Sequence, residues 1–382
     1  MTPPRTGAAS AIPFVDFRSH VAAQRTEIDA AIARVLDSGW FILGPEGEAF
    51  ERELAQALGA RDAVAVANGT EALQLALMAM GVGPGDEVVT SPMSATFTAL
   101  AVMAVGARPV FADVDPRTLN VDPEAVARAV TTRTKALMPV HLYGHPADMD
   151  PLLDLSRRTG IPLLEDACQS HGALYQGRNV GTLAGPQGMG ALSFYPTKNL
   201  GALGDGGAVL VNDPSRAAAL RRLRNGGQSD RYRHEVAGLN SRLDELQAAI
   251  LRVGLGHLQR NTERRRELAA FYLRALGDVP GLGLPQEQPY ARSVFHLFVV
   301  RHAKRDALAA ALKDRGIGTL IHYPIPLHLQ PALLPFGGKV GDYPVAERAA
   351  EEILSLPLYP ELSDAQAGLV CEAVRDAVLA LS

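Results

Sequence analysis

From about residue 60 the sequence alternates short, continuous apolar runs with longer amphipathic stretches, and that alternation limits the possible folds severely. The runs are "AVAVAN" (63–68), "EVVTS" (87–91), "RPVFADV" (108–114), "KALMPVHLY" (135–143), "IPLLED" (161–166), "ALSFY" (191–195) and "GAVLVN" (207–212). Most lack polar–apolar alternation, the mark of strands covered on both faces. Helical patterns lie between several of them; "TEALQLALMAM" sets Leu73, Leu77 and Met80 on one face. The expectation is an α/β protein built on a seven-stranded, mostly parallel sheet. The last two runs are joined by a glycine-rich turn and no helix, which predicts an antiparallel pair at an edge.

The grammar changes beyond the stretch 240–276. The stretch 240–276 reads as a long helix with a break near Gly254–Gly256, "SVFHLFVVR" (293–301) as a strand, "KRDALAAALKDRG" (304–316) as a helix and "GTLIHYPIP" (318–326) as another strand. A large domain over 1–255, with 1–12 loose, and a small C-terminal α+β domain over 256–382 are expected. A chain of 382 residues can bury cores of both sizes. The formal net charge of −4 gives no reason to expect a nucleic acid or an acidic membrane as partner. Two cysteines, Cys168 and Cys371, are too few for a disulfide framework. With no signal-peptide core or membrane-length apolar run, the chain is expected to be cytoplasmic.

Ligands of open α/β sheets collect at the carboxyl ends of strands, and three such ends carry polar groups. The first run leads into Gly69-Thr70-Glu71 and a helix, either a phosphate site on free N–H groups or an ordinary turn with Thr70 as N-cap. The fifth ends in Glu165 and Asp166, carboxylates that need a cation or donors if buried, whether as a cap, a structural ion pair or a site. After the sixth comes Lys198, set among closely spaced glycines. Burial would lower its pKa and free a neutral amine for Schiff-base chemistry; the alternative is a solvated loop lysine. Other motifs fail. "GALGDGGA" precedes a strand and opens no helix, "HEVAG" lacks a second histidine, and the glycine in "HLYGH" argues against a helical metal pair, so no metal site is expected. A phosphate cradle, a buried aspartate and a lysine together suit pyridoxal 5'-phosphate.

The segments "SFYPTKNLGALGDGGAV", "EDACQSHGA", "NGTEALQLAL" and "GLNSRLDELQAAIL" closely resemble the DegT/DnrJ/EryC1/StrS family of nucleotide-sugar aminotransferases, with likeness running from "FILGPEGEAFE" (41–51) to "LSLPLYP" (354–360). The resemblance implies the fold type I architecture of pyridoxal phosphate enzymes and a homodimer with active sites shared between subunits. It matches Lys198 to the Schiff-base lysine, Asp166 to the partner of the pyridine nitrogen, and Gln169 to the residue bonding the ring hydroxyl. Ser193, Gly69 and Thr70 match phosphate ligands, and Asn240 matches an asparagine that reaches the neighbouring subunit's cofactor. Locally, Ser241 and Asp244 also read as a capping box, with Asn240 just ahead of it. The family's ring-stacking aromatic has no counterpart at the usual place; the nearest aromatic is Phe97, displaced from it. The implied reaction transfers an amino group from L-glutamate to a nucleotide-linked keto-sugar, with Lys198 as proton carrier. The segments 223–249 and 318–331 are most similar to members acting at C3 of dTDP-3-keto-6-deoxyhexoses; amination of a 4-keto-sugar is the alternative, and a non-catalytic regulatory relative is another. His322 and Tyr323 are candidates for the substrate side, or for packing.

Overall fold

The computed structural model describes residues 11–381. Seven strands lie where the apolar runs place them: β1 (Asp62–Val66), β2 (Glu87–Thr90), β3 (Arg108–Phe111), β4 (Thr134–Met138), β5 (Leu164–Asp166), β6 (Met189–Ser193) and β7 (Gly207–Val211). β2 pairs in parallel with β3 and β4, and β5 with β6. Parallel bridges Leu137–Leu163 and Val140–Asp166 join the two groups, reinforced by Asp166 N–H to the Pro139 carbonyl at 2.9 Å. The sheet order is therefore β1-β7-β6-β5-β4-β2-β3. β7 is antiparallel to β6 as expected, but it lies inside the sheet rather than at its edge, because β1 takes its other side, also antiparallel. Each residue of β7 is buried, as such a position requires.

Both faces are covered. Helices Pro45–Leu58 and Met149–Thr159 contribute Leu54 and Leu152 to one core. On the other face α1 (Gly69–Ala79) and α2 (Thr96–Ala104) contribute Leu73, Leu77 and Val102. Helix α3 (Glu245–Leu276) runs for 32 residues without the break expected at Gly254–Gly256. Two mid-helix glycines cost about 1 kcal/mol each relative to alanine; packing at both ends offsets this. Leu251 and Leu258 join the sheet core, while Leu268, Tyr272 and Leu276 join the C-terminal one. A Cβ at Gly254 would come within 3.1 Å of Leu200, so glycine lets α3 approach the turn that carries Lys198.

The C-terminal core is built on an antiparallel pair, β8 (Phe298–Arg301) and β9 (Ile353–Leu356), with helices Arg305–Asp314 and Asp364–Leu381. The segment 318–326 is not a strand: Leu320 bridges Ser355, and the chain then leaves the ladder. Pro324 and Pro326 lack the amide donors needed to extend it. Of the N-terminal stretch expected to be loose, residues 1–10 lie outside the described residues, and Ile12 is buried and pairs with Ile317. Among the described residues no helix is long and apolar enough to cross a membrane.

Candidate active site

The carboxyl ends of β1, β5 and β6 open onto one cavity of about 1170 Å³, closed on the far side by residues of the C-terminal half. Gly69, Thr70, Asp166, Gln169, Ser193, Lys198, His322 and Tyr323 all line it.

At one corner, α1 begins directly after β1. Asn68 caps it, its side chain accepting from the Glu71 amide at 2.9 Å, so Thr70 is not the N-cap. The amides of Gly69 and Thr70 have no partner among the described residues. Free N–H groups at the positive end of a helix form an anion site. A Cβ at Gly69 would lie 2.6 Å from the Ser193 Cβ, so only glycine allows α1 to sit this close to the end of β6.

The two carboxylates ending β5 face different surroundings. Glu165, fully buried, accepts from the amides of Gly181 (2.7 Å), Leu183 (2.7 Å) and Ala184 (2.8 Å), with His141 Nε2 at 3.1 Å. Asp166, on the cavity side, accepts from the Thr98 hydroxyl at 2.8 Å and, more weakly, the Cys168 amide at 3.3 Å. Thr98 is in turn 2.7 Å from Ser94 Oγ. The structure forms no ion pair at Asp166 among the described residues, so its charge remains available to a ligand.

Lys198 stands in the turn after β6, its amide bonded to the Tyr195 carbonyl at 2.8 Å. Its amine has no hydrogen bond or ion pair among the described residues. Desolvation lowers its pKa, opposed by Cys168 and Asp166. Burial holds His322 near 4 and His171 near 3, with the neighbouring Lys198 charge adding to the effect.

Gln169 accepts from the Tyr143 amide at 2.8 Å and donates to the Tyr323 hydroxyl at 3.2 Å, tying the sheet to the C-terminal segment. His322 is 2.8 Å from Ser355 Oγ, and its carbonyl accepts from the Tyr143 hydroxyl. Asn240 is not brought to the cavity; it is exposed and pairs with Asn225. The capping box does not form: Ser241 Oγ instead accepts from the Ala67 amide at 3.1 Å, and Asp244 makes no side-chain cap. Phe97 lines the cavity and is exposed. Sequence reasoning missed Thr98, Asn68, His296 and Arg265. The spacing of Ser94 and Thr98, four apart, was the one local signal for Thr98.

An α/β sheet with a lysine and an aspartate at adjoining strand ends is consistent with the fold type I class. The sequence pattern of the DegT/DnrJ/EryC1/StrS aminotransferase family matches residues 22–375, and the chain belongs to that family. It is 50% identical over 365 residues to the dTDP-3-amino-3,4,6-trideoxy-alpha-D-glucose transaminase of Streptomyces venezuelae, covering 96% of each chain. It is also 50% identical to the erythromycin biosynthesis sensory transduction protein EryC1 of Saccharopolyspora erythraea, over 92% of this chain and 95% of that one. The crystal structure of S. venezuelae DesV in complex with a ketimine intermediate superposes with a TM-score of 0.95 at 50% identity, covering 97% of this chain and 99% of that one.

The family is pyridoxal phosphate-dependent. The residues here fit that group: unpartnered amides beside a close-approach glycine suit a phosphate, a buried carboxylate without a cation suits a protonated pyridine nitrogen, and a desolvated amine suits its aldehyde.

Proposed function

We propose that this aminotransferase moves an amino group from L-glutamate to C3 of a dTDP-linked 3-keto-6-deoxyhexose. The observation that carries the substrate is the 50% identity, over nearly the full length of both chains, to a transaminase named for a dTDP-3-amino sugar.

Pyridoxal phosphate, when bound, supplies the electron sink that makes a Cα–H bond acidic. Gly69, Thr70 and Ser193 would hold its phosphate. Asp166, its carboxylate oriented by Thr98, would keep a proton on the ring nitrogen. Gln169 would bond the ring hydroxyl. Lys198 Nζ accepts the proton from the donor's Cα and later returns one to the amino-sugar carbon, a role suited to an amine whose pKa burial has lowered. His322 and Tyr323 face the sugar. Asn240 is exposed and outside the lining of its own cavity, and by the family resemblance it would serve the site of a second copy in a homodimer. The large domain occupies 1–255 and the small one 256–382, in a cytoplasmic protein.

Regiochemistry follows from positioning. With the reacting centre fixed at one end of the cavity, a displacement of ~1 Å can cost ~10²-fold in rate, so one pocket should favour one carbonyl. Supplied with L-glutamate and either dTDP-3-keto- or dTDP-4-keto-6-deoxyhexoses, the enzyme should form the 3-amino product, identified by NMR. A 4-amino product formed at the higher rate would reject this assignment and promote the 4-aminotransferase reading.

A further inference from the structure

Tyr143 does not line the cavity, yet it holds two residues that do. Its amide donates to Gln169 Oε1 at 2.8 Å, and its hydroxyl donates to the His322 carbonyl. A backbone N–H can only donate, so the first contact fixes the Gln169 carboxamide: Oε1 faces Tyr143, and Nε2 faces the Tyr323 hydroxyl 3.2 Å away. The second contact holds the backbone that carries Tyr323. One residue therefore spans from Gln169, at the end of the sheet, to His322 and Tyr323 in the C-terminal half.

The backbone at this position is unfavourable for a tyrosine. Tyr143 has φ 59° and ψ 10°, the left-handed region that glycine enters freely and other residues rarely do. Its turn is held from several sides. The Leu142 amide donates to Asn120 Oδ1 at 2.8 Å, the His145 amide to the Leu142 carbonyl at 3.0 Å, and the Val294 amide to the Gly144 carbonyl at 3.0 Å. The turn starts beside the cavity's aspartate, where the His141 amide donates to the Asp166 carbonyl at 3.0 Å. Such a position persists only where the surroundings over-determine it. The Tyr143 ring belongs to a buried cluster with Leu142, Leu297 and Val299, a place phenylalanine would fill as well. What remains to be explained is the hydroxyl. Burial pushes its pKa well up, so it stays a donor.

We infer that Tyr143 is a positioning residue for the keto-sugar half-reaction: from behind the cavity wall it sets the spacing between Gln169 and the His322–Tyr323 segment, and so which sugar carbonyl is presented for amination. The inference rests on the reading above that His322 and Tyr323 face the sugar. A shift of the segment that carries those two side chains would move the sugar relative to the reacting centre, where small displacements are costly.

The test uses pyridoxal phosphate-loaded enzyme in four forms: wild type, Tyr143→Phe, Tyr323→Phe and the double variant. The two half-reactions are followed separately by cofactor absorbance, and amino-sugar products are identified by NMR. Binding of a dTDP-linked 6-deoxyhexose without a carbonyl is measured by calorimetry. Tyr143→Phe keeps the ring and strands the His322 carbonyl. It should raise the keto-sugar KM about 10-fold and weaken the unreactive sugar similarly, while the L-glutamate half-reaction changes less than about 3-fold. The share of 3-amino product, with both keto isomers offered, should fall. Because Tyr143 acts through Tyr323, the double variant should bind the sugar within about 2-fold of Tyr323→Phe alone, not with the two losses multiplied. Equal weakening of both half-reactions together with a lowered thermal midpoint would make Tyr143 a packing residue and overturn the inference. Multiplied losses in the double variant, or no effect of Tyr143→Phe, would overturn it too. An unchanged keto-sugar KM in Tyr323→Phe would instead defeat the reading that places Tyr323 at the sugar, and the inference with it.

Discussion

Glu165 and Asp166 end the same strand and are both buried, yet their donors are shared unequally. Glu165 collects three backbone amides and His141, which leaves it nothing to offer a ligand. Asp166 has the Thr98 hydroxyl and one long contact to an amide. Asp166→Asn preserves the shape and removes the charge that would keep a pyridine nitrogen protonated. Turnover should fall by roughly 10²-fold or more, on the scale of losing one preorganised electrostatic group. Thr98→Val leaves the charge and removes its hydroxyl donor; a hydrogen bond to a charged group contributes about 1.5–3 kcal/mol, so a loss of about 10-fold or more is expected. Steady-state kinetics on both variants checks the ranking. Near-normal turnover in Asp166→Asn would make the aspartate structural.

At the scale of elements, Glu245 shows how α3 is tied to a neighbouring helix. Its carboxylate, almost fully buried, accepts from the amides of Gly44 (2.9 Å), Glu46 (2.8 Å) and Gly47 (2.9 Å) at the start of helix Pro45–Leu58. Glu245→Gln would turn an NH2 toward the Glu46 amide, donor against donor, and should cost about 2 kcal/mol in urea unfolding; an unchanged midpoint would show that the helix start has other support. The strands were legible because a run buried on both faces must be apolar throughout, and Lys198 and Asp166 were legible as candidates because charged residues at the ends of such runs are conspicuous. What was not legible depended on distant partners. Ser241 and Asp244 have capping-box spacing, but the serine hydroxyl is taken by Ala67, 174 residues away in sequence. Thr98 matters only because the fold sets it against Asp166. The glycines of α3 suggested a break because nothing local announces the packing on either side of them, and β7 moved inside the sheet because the order of strands is a long-range property.

The whole molecule carries a pH dependence. Burial holds His145 near 4 and His322 near 4, against an ordinary value of 6.5, so the unfolded chain takes up protons first on acidification. That stability is fully present above about pH 6.5 and is lost as pH falls toward 4, so the thermal midpoint should already decline between pH 7 and 5; a flat profile would contradict neutral burial of these rings. The exposed position of Asn240 gives a second expectation. Mixed Lys198→Ala and Asn240→Ala chains should form heterodimers in which one site carries both lesions and the other neither, and activity should return. No recovery despite demonstrated subunit exchange would keep Asn240 out of a shared site. The most direct measurement concerns the amine itself. The chain has five lysines, and among the described residues Lys198 is the one that lines the cavity. Borohydride reduction of the pyridoxal phosphate-loaded protein, followed by peptide mass spectrometry, should place the cofactor on the peptide containing Lys198; a stoichiometric tag on Lys135, Lys304, Lys313 or Lys339 would contradict the account.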